Sequence, residues 1–302
     1  MRWTSGTGVR RLWQRGDVWK PSWRLYNGGM AQPVKSDGRA AGGATELRRP
    51  SPRALALFRM YARWYMRRHF HAIRVANAQR IPQHAERLIV FGNHASWWDP
   101  LTALLLAEAV LPGREHYAPM DETALKNYAI FKPMGFFPVE NGTARGAVQL
   151  LRAGEEIFER GGALWITPES QFQDVRTRPV TFKQGLGKLM TRQGRMKCVP
   201  LGIEYTFWDE RLPEVLINIG EPLEIADGTM EETQTWTNLL SYAMAATLDE
   251  LALLAEARDP GGFIAILEGG GGIGGVYELW QRVKAAVTGR EYHHNHGSLH
   301  KR

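Results

Sequence analysis

Cysteine is nearly absent from this 302-residue sequence, in which Cys198 is the only example. A single cysteine cannot form a disulfide within the chain, which excludes a disulfide-stapled scaffold and fits a reducing cytoplasm better than secretion. Long apolar runs are absent too. Even the aromatic stretch at 55–70 is interrupted by four arginines, so no segment approaches the ~18 uninterrupted apolar residues that cross a bilayer. We therefore expect a soluble protein or one bound at a membrane surface.

The first 50 residues lack both a sustained hydrophobic period and the apolar core of ~7 to 15 residues that a signal peptide needs. They carry ten Arg and Lys against three Asp and Glu, and this excess of seven equals the net charge of +7 of the whole chain. We expect this basic segment to be disordered in isolation. An organelle transit peptide and a start at Met30 are alternative interpretations.

From residue 51 to about 75 the pattern becomes that of an amphipathic helix. Arg59, Arg63 and Arg67 recur every four residues on one face, while apolar residues such as Leu55 and Phe58 fall on another. Basic side chains interleaved with aromatic ones are typical of a helix in the headgroup layer of an anionic membrane. A helix packed on the domain with a solvated arginine face is the alternative. Nucleic acid is not expected as a partner, because no recognition motif accompanies the charge.

Beyond about residue 87, short apolar runs alternate with helical patterns. Buried strands are predicted at 88–91, 163–167, 198–203 and 215–219, and helices at 100–110, 145–160, 185–192 and 231–257. This alternation predicts an α/β fold with a largely parallel central sheet flanked by helices. We assign residues 76–260 to that domain and residues 261–302 to a glycine-rich hinge, a short helix and a polar tail.

Gly270, Gly272 and Gly275 have the spacing of a dinucleotide-binding loop. Such a site also needs a second strand with an acidic residue ~20 positions further on, whereas a short helical pattern and a polar tail follow here. We therefore expect a flexible hinge before an amphipathic helix at 276–287. The residues give no support for a metal or a redox cofactor.

The stretch GNHASWWDP at 92–100 follows a predicted strand and places His94 and Asp99 five positions apart. Asp99 before Pro100 is also a good helix start, with an N-cap carboxylate and proline at the first helical position. However, the loop leaving a strand is where α/β sheets present reactive groups, and a carboxylate can prepare an imidazole as a general base. No nucleophile elbow surrounds Ser96, so the hydroxyl such a base would activate is that of the substrate.

Further sequence blocks follow in a fixed order: GFFPVEN at 135–141, WITPES at 165–170, FKQG at 182–185 and VPLGI at 199–203. Together with His-x4-Asp, they resemble the glycerolipid acyltransferases that include 1-acylglycerol-3-phosphate acyltransferase. The resemblance extends over about residues 87–205. It implies that His94 deprotonates an acceptor hydroxyl while Asp99 orients His94.

The resemblance also implies the substrates and the location. A fatty acyl group would pass from acyl-CoA or acyl carrier protein to a lysolipid hydroxyl in phospholipid biosynthesis, without a covalent enzyme intermediate. The enzyme would act as a peripheral protein on the cytoplasmic face of a membrane. Apart from the thioester co-substrate, no cofactor is implied.

Two positions depart from the family pattern. Asn141 stands where the second block normally ends in an arginine that holds the acceptor's phosphate, and Ser170, Gln171 and Phe172 replace the usual Gly-Thr-Arg of the third block. These losses keep open a different acceptor, such as a lysophospholipid, an amino-acid lipid or a glycolipid. A catalytically silent lipid-binding relative is a further alternative.

Three nearby arginines, Arg145, Arg176 and Arg178, are candidates to replace the missing phosphate ligands, since a guanidinium binds phosphate bidentately. The alternative is that they form surface ion pairs with residues such as Asp174. Glu169 and Ser170 complete the predicted substrate-binding set. For Glu169, at a strand end, we expect acceptor binding or a role in site architecture, with a solvated turn as the alternative.

Overall fold

The computed structural model describes residues 47–191, 195–226 and 231–270. Within these ranges the strands are β1 (Ala72–Ala76), β2 (Leu88–Gly92), β3 (His116–Asp121), β4 (Phe136–Val139), β5 (Ala163–Ile166), β6 (Met196–Thr206), β7 (Glu214–Ile219), β8 (Leu223–Ile225) and β9 (Ile264–Glu268). The helices are α1 (Pro52–His69), α2 (Asp99–Val110), α3 (Glu122–Asn127), α4 (Ala144–Glu159), α5 (Gly185–Met190) and α6 (Thr233–Ala257). The predictions for residues 1–46, for the helix at 276–287 and for the polar tail lie outside the described residues.

The strands form one mixed sheet in the order β4-β3-β5-β2-β6-β7-β1-β9, with β8 beside β6. Strands β4, β3, β5, β2 and β6 are mutually parallel, as are β7 and β1. The largely parallel α/β fold is therefore confirmed, and so are the eight predicted strands and helices, with ends that shift by a few residues. The pair β6–β7 is antiparallel, because the loop that joins the two strands is too short for the crossover connection that parallel strands need.

Strand β2 is buried along its whole length, and its side chains alternate between two cores. Leu88 and Val90 join the core that contains residues of α1 and α2. Ile89 and Phe91 join the core on the other face, which contains residues of α4, α5 and α6. A strand covered on both faces needs an uninterrupted apolar sequence, and this is why β2 could be predicted.

Helix α1 packs on the domain through Ala62 and Met66, which are fully buried. The sequence predicted Arg59, Arg63 and Arg67 on one solvated or lipid-facing side. That prediction is wrong for two of them, because Arg59 and Arg63 face α2 and approach Glu108 at 3.9 and 3.0 Å. Among the described residues, no helix combines the length and the apolarity required to span a membrane.

Candidate active site

The candidate site forms where β2, β5 and β6 end. These neighbouring strands are parallel, so their carboxyl ends meet at one edge of the sheet, where α/β folds bind ligands. His94 lies two residues beyond β2, Glu169 lies three residues beyond β5, and Tyr205 is the penultimate residue of β6. The fold therefore brings together residues that are far apart in the sequence.

His94 and Asp99 form the predicted dyad. Nδ1 of His94 lies 2.7 Å from Oδ2 of Asp99, and the two side chains are 23% and 6% exposed. When Nδ1 carries the proton and donates a hydrogen bond to the carboxylate, the lone pair of Nε2 is directed away from Asp99. Within the described residues, Nε2 makes no hydrogen bond, so it is available to a substrate.

The carboxylate of Asp99 is held by further donors. The backbone N–H of Ser96 donates to Oδ2 at 3.1 Å, and the hydroxyl of Tyr205 donates to Oδ1 at 2.7 Å. The predicted N-cap role of Asp99 is wrong, because the residue preceding α2 is Trp98, and Asp99 is the first helical residue. The acceptor capacity of Asp99 is used by the loop and by β6 instead of by the helix amides.

Glu169 fixes the backbone of the histidine loop. Its carboxylate is 5% exposed and accepts the backbone N–H of His94 at 2.8 Å, while the N–H of Gln173 donates to the carbonyl of His94 at 2.9 Å. Burial raises the pKa of Glu169, and the hydrogen bond from His94 opposes that shift. Hydrogen bonds thus hold both the N–H and the carbonyl of His94, and Glu169 has a role in the architecture of the site.

Phe172, three residues after Glu169, places apolar surface against the imidazole. Ser170 is exposed and has φ 59°, a left-handed conformation that is uncommon outside glycine. Phe172 is 60% exposed, yet its ring centroid lies 4.3 Å from that of His94, with 41° between the ring planes. An aromatic ring therefore covers part of the imidazole in the block where the resemblance leads us to expect an arginine.

Each of the three candidate phosphate ligands pairs with a carboxylate. Arg176 is bidentate to Asp174, with Nε–Oδ1 2.8 Å and Nη2–Oδ2 2.7 Å, and it holds the pKa of Asp174 well below its usual range. Arg178 contacts Asp249 at 2.6 Å.

Arg145, the third candidate, lies 3.7 Å from Glu140. It follows the edge strand β4, which β3 and β5 separate from β2, a distance of about 14 Å from three strand spacings of ~4.8 Å.

Two residues that the sequence did not single out complete the site. Asn93 is 2% exposed; its Nδ2 donates to the carbonyl of Ile203 at 3.0 Å, and its Oδ1 accepts the N–H of Ile203 at 2.8 Å. This pair of bonds locks the end of β2 to β6. The second residue is Tyr205, the donor to Asp99. The position of Asn93, a polar residue between a buried strand and a candidate base, was a usable signal in the sequence. No sequence spacing indicates that Tyr205 belongs to the site.

The site offers a base without a nucleophile of its own. Cys198 is buried within β6, and burial raises its pKa to about 12, so the thiol stays protonated. The Ser96 hydroxyl accepts the backbone N–H of Trp98 at 3.3 Å, within its own turn. In the part of the chain that the structure describes, no three His, Cys, Asp or Glu side chains cluster as metal ligands would.

Comparisons with known proteins agree with this geometry. The family model described as Acyltransferase matches residues 72–204, which include His94, Asp99 and Glu169. Residues 72–204 are therefore similar to the acyltransferases, the family that the motifs indicated, and this similarity supports a lipid O-acyltransferase.

Among solved structures, the chain is similar to the 1-acyl-sn-glycerophosphate (LPA) acyltransferase PlsC from Thermotoga maritima, with 16% identity and a TM-score of 0.49. The match covers 67% of this chain and 79% of that one. No curated protein sequence matches the chain.

Proposed function

We propose that the protein transfers a fatty acyl group from acyl-CoA or acyl carrier protein to a hydroxyl of a lysolipid of the 1-acylglycerol-3-phosphate type, in phospholipid biosynthesis. The observation that carries the proposal is the His94–Asp99 pair at 2.7 Å. It lies at the carboxyl edge of the sheet, in the region that the Acyltransferase family model matches.

In the proposed reaction, Nε2 of His94 takes the proton of the acceptor hydroxyl while the hydroxyl oxygen attacks the carbonyl carbon of the thioester. The C–S bond then breaks, and the leaving thiolate takes the proton from the imidazolium, so the products are an ester and a thiol. General-base assistance of this kind contributes about 10²- to 10⁴-fold. Positioning of the substrates and stabilisation of the oxyanion supply the rest of the acceleration.

The decisive assay measures transfer from labelled acyl-CoA and acyl carrier protein to lysolipids with and without a phosphate headgroup. The His94→Ala variant is run beside the wild type, and circular dichroism checks that both are folded. Transfer to lysophosphatidic acid that vanishes in the variant supports the proposal. A folded variant that keeps its activity removes the base mechanism, and no transfer at all from folded wild type favours the silent lipid-binding relative.

A second candidate function is acylation of an acceptor without a phosphate beside the reacting hydroxyl. It is favoured by the Phe172 ring on His94 and by the carboxylate partners of Arg145, Arg176 and Arg178. In the same assay, His94-dependent transfer to a lyso-amino-acid lipid or a lysoglycolipid, with none to lysophosphatidic acid, selects this candidate. Phe172→Arg would then be expected to gain transfer to the phosphorylated acceptor.

We also propose that α1 holds the enzyme on the cytoplasmic face of an anionic membrane. Its outward side carries an exposed stripe of Leu57, Met60, Tyr61 and Trp64, which we call the α1 stripe. Exposed arginines border the stripe, and the guanidinium of Arg68 lies 5.3 Å from the ring centre of Trp64. Large apolar side chains bordered by basic groups suit the interface of an anionic bilayer.

A chain of ring contacts runs from the α1 stripe to the site. Tyr61 stacks on Tyr65 at 5.5 Å, and Tyr65 contacts Trp98 at 5.4 Å, one residue before Asp99. The neighbouring Trp97 is 49% exposed. A membrane in contact with α1 would therefore lie beside the catalytic loop, where a lysolipid held in the bilayer could reach His94.

Vesicle co-sedimentation tests the membrane proposal with a matched control. Leu57→Ala combined with Trp64→Ala is expected to weaken binding to anionic vesicles about tenfold, because the buried apolar area is lost. Leu253 on α6 is 69% exposed, and Leu253→Ala is expected to bind like wild type. Binding by the wild type should also fall with salt. Unchanged binding by the α1 variant, or an equal loss in the control, would contradict docking through α1.

A further inference from the structure

Tyr205 projects from the end of β6 toward the start of α2. Ile203 and Tyr205, two residues apart on β6, share a face of the sheet and pack on the core that contains residues of α1 and α2. On that face the Tyr205 hydroxyl reaches Oδ1 of Asp99 at 2.7 Å, on the oxygen opposite to the one that His94 uses. Tyr205, a residue of β6, thus contacts Asp99 at the carboxylate oxygen that His94 does not use.

The contact has consequences for the orientation of the carboxylate. The terminal torsion of an aspartate is soft, so a hydrogen bond at one oxygen alone leaves the group able to rotate. In Asp99, the two donors at Oδ2 come from the histidine loop itself, namely the His94 ring and the Ser96 N–H. Among the described residues, Tyr205 is the donor at Oδ1 that comes from a rigid strand.

We propose that Tyr205 is a positioning residue for acyl transfer, whose hydroxyl fixes the Asp99 carboxylate in the plane that holds His94 ready to take the acceptor's proton. The inference rests on the function proposed above for His94 and Asp99. Tyr205 touches neither substrate in this scheme and acts through Asp99 alone.

The surroundings of Tyr205 suit this role. Its ring lies against Phe70 at 5.7 Å, and its hydroxyl is 3.2 Å from Oγ1 of the fully buried Thr102, which can donate to it. Burial raises the pKa of Tyr205 well above its usual value, so the hydroxyl remains a donor at any assay pH. Three hydroxyl and carboxylate groups in sequence polarise one another, which strengthens each bond.

In the part of the chain that the structure describes, few ionisable groups contact the dyad or its loop. Asp99 contacts the His94 ring, and Glu169 contacts its backbone N–H. From α1, His69 lies 5.2 Å from the Trp98 ring and bonds the carbonyl of Tyr65 through Nδ1. A change at Tyr205 therefore reaches His94 mainly by way of Asp99.

Tyr205→Phe removes the hydroxyl and keeps the ring. We expect kcat to fall about tenfold, which corresponds to 1.4 kcal/mol, with both KM values unchanged. The acidic limb of the pH profile of kcat/KM should move to higher pH, because a carboxylate that loses a donor stabilises the imidazolium more strongly. A kcat within twofold of wild type, or an acidic limb that stays in place or moves to lower pH, overturns the inference.

Tyr117→Phe is the matched control. Tyr117 is also buried and also donates its hydroxyl to a carboxylate, Glu115, at 2.6 Å, but at the amino end of β3, away from the site. We expect this variant to lower the melting temperature without changing kcat or the pH profile. An equal loss of kcat in the control would make the effect of Tyr205→Phe merely structural and overturn the inference.

A double-mutant cycle identifies the route. In an Asp99→Ala background, Tyr205→Phe should change the residual rate less than twofold, since nothing is left for the hydroxyl to position. A further tenfold loss in that background overturns the role through Asp99. If Tyr205→Phe does not fold, Thr102→Val takes its place, with a two- to threefold loss of kcat expected and an unchanged kcat contradicting the inference.

His94→Ala, measured in the same series, separates this inference from the proposed function. An active His94→Ala overturns the dyad and the role of Tyr205 with it. An inactive His94→Ala beside a fully active Tyr205→Phe overturns only the role of Tyr205.

Discussion

His94 and His116 occupy the same domain, and their surroundings differ at the second ring nitrogen. His94 donates through Nδ1 to Asp99 at 2.7 Å, and its Nε2 makes no hydrogen bond with the described residues. His116 accepts the indole N–H of Trp165 at Nδ1, 3.0 Å away, and its Nε2 donates to the carbonyl of Leu111 at 3.3 Å. Burial lowers the pKa of His116 to about 4. One imidazole has a nitrogen left for chemistry, whereas the structure uses both nitrogens of the other.

The partner of the second ring nitrogen therefore distinguishes a reactive histidine from a packed one. A carboxylate on Nδ1 favours the imidazolium and leaves Nε2 to the substrate. An indole donor and a carbonyl acceptor instead fix one neutral tautomer between β3, β5 and the end of α2. Substitution of either histidine tests this distinction.

Replacing the two histidines should produce opposite defects, and this is the largest effect we expect. His94→Ala should lower kcat/KM by about 10³-fold or more, with a melting temperature near that of wild type. His116→Leu should keep kcat within twofold and lose about 2–3 kcal/mol of stability, because the Trp165 N–H and the Leu111 carbonyl lose their partner. Activity assays and chemical denaturation of both variants make the test. A stable, inactive His116→Leu would contradict the division of roles.

The pH dependence of stability should carry the signature of His116. Its folded pKa of about 4 lies below the ordinary value of 6.5, so between these values the unfolded state binds more protons. The stabilising contribution is complete above pH 6.5 and is lost as pH falls through 4, an effect of about 3 kcal/mol. Denaturant titrations at several pH values should show this slope in wild type and not in His116→Leu. An equal slope in both would assign the effect to other groups.

Glu169 should give a slope of the opposite sign, and a smaller one. Its folded pKa is raised above 4.5, mainly by burial, so its contribution is complete below that value and is lost as pH rises through the folded pKa. Glu169→Gln keeps an acceptor for the His94 N–H and removes the titration. Relative to wild type, the variant should therefore gain stability between about pH 4.5 and neutrality. A constant difference across that range would contradict the buried charge.

Much of this fold could be predicted from the sequence, because buried parallel strands such as β2 are recognisable as uninterrupted apolar runs. Strands β3 and β4 escaped prediction, since each is short and contains a proline, at Pro119 and Pro138. The dyad was accessible because His94 and Asp99 are only five positions apart in the sequence.

The contact of Tyr205 with the dyad was not accessible from the sequence. Tyr205 is 106 residues away from Asp99, and only the sheet register brings its hydroxyl to the carboxylate. The two ion pairs of α1 with Glu108 were not predictable either, because the charge pattern of a helix does not tell which of its sides packs against a neighbour.

The smallest expected effect concerns Arg176 and Arg178. If either reaches the acceptor, replacement by alanine should raise the apparent KM for a phosphorylated acceptor about threefold, since each guanidinium already shares its charge with a carboxylate. Arg152→Ala, at an exposed arginine of α4, is the control and should leave KM unchanged. A selective rise would extend the substrate site from the His94 loop to the 174–178 segment. An equal change with unphosphorylated acceptors would leave these arginines as surface ion pairs, and would leave Phe172 as the side chain that shapes the surroundings of His94 on that side.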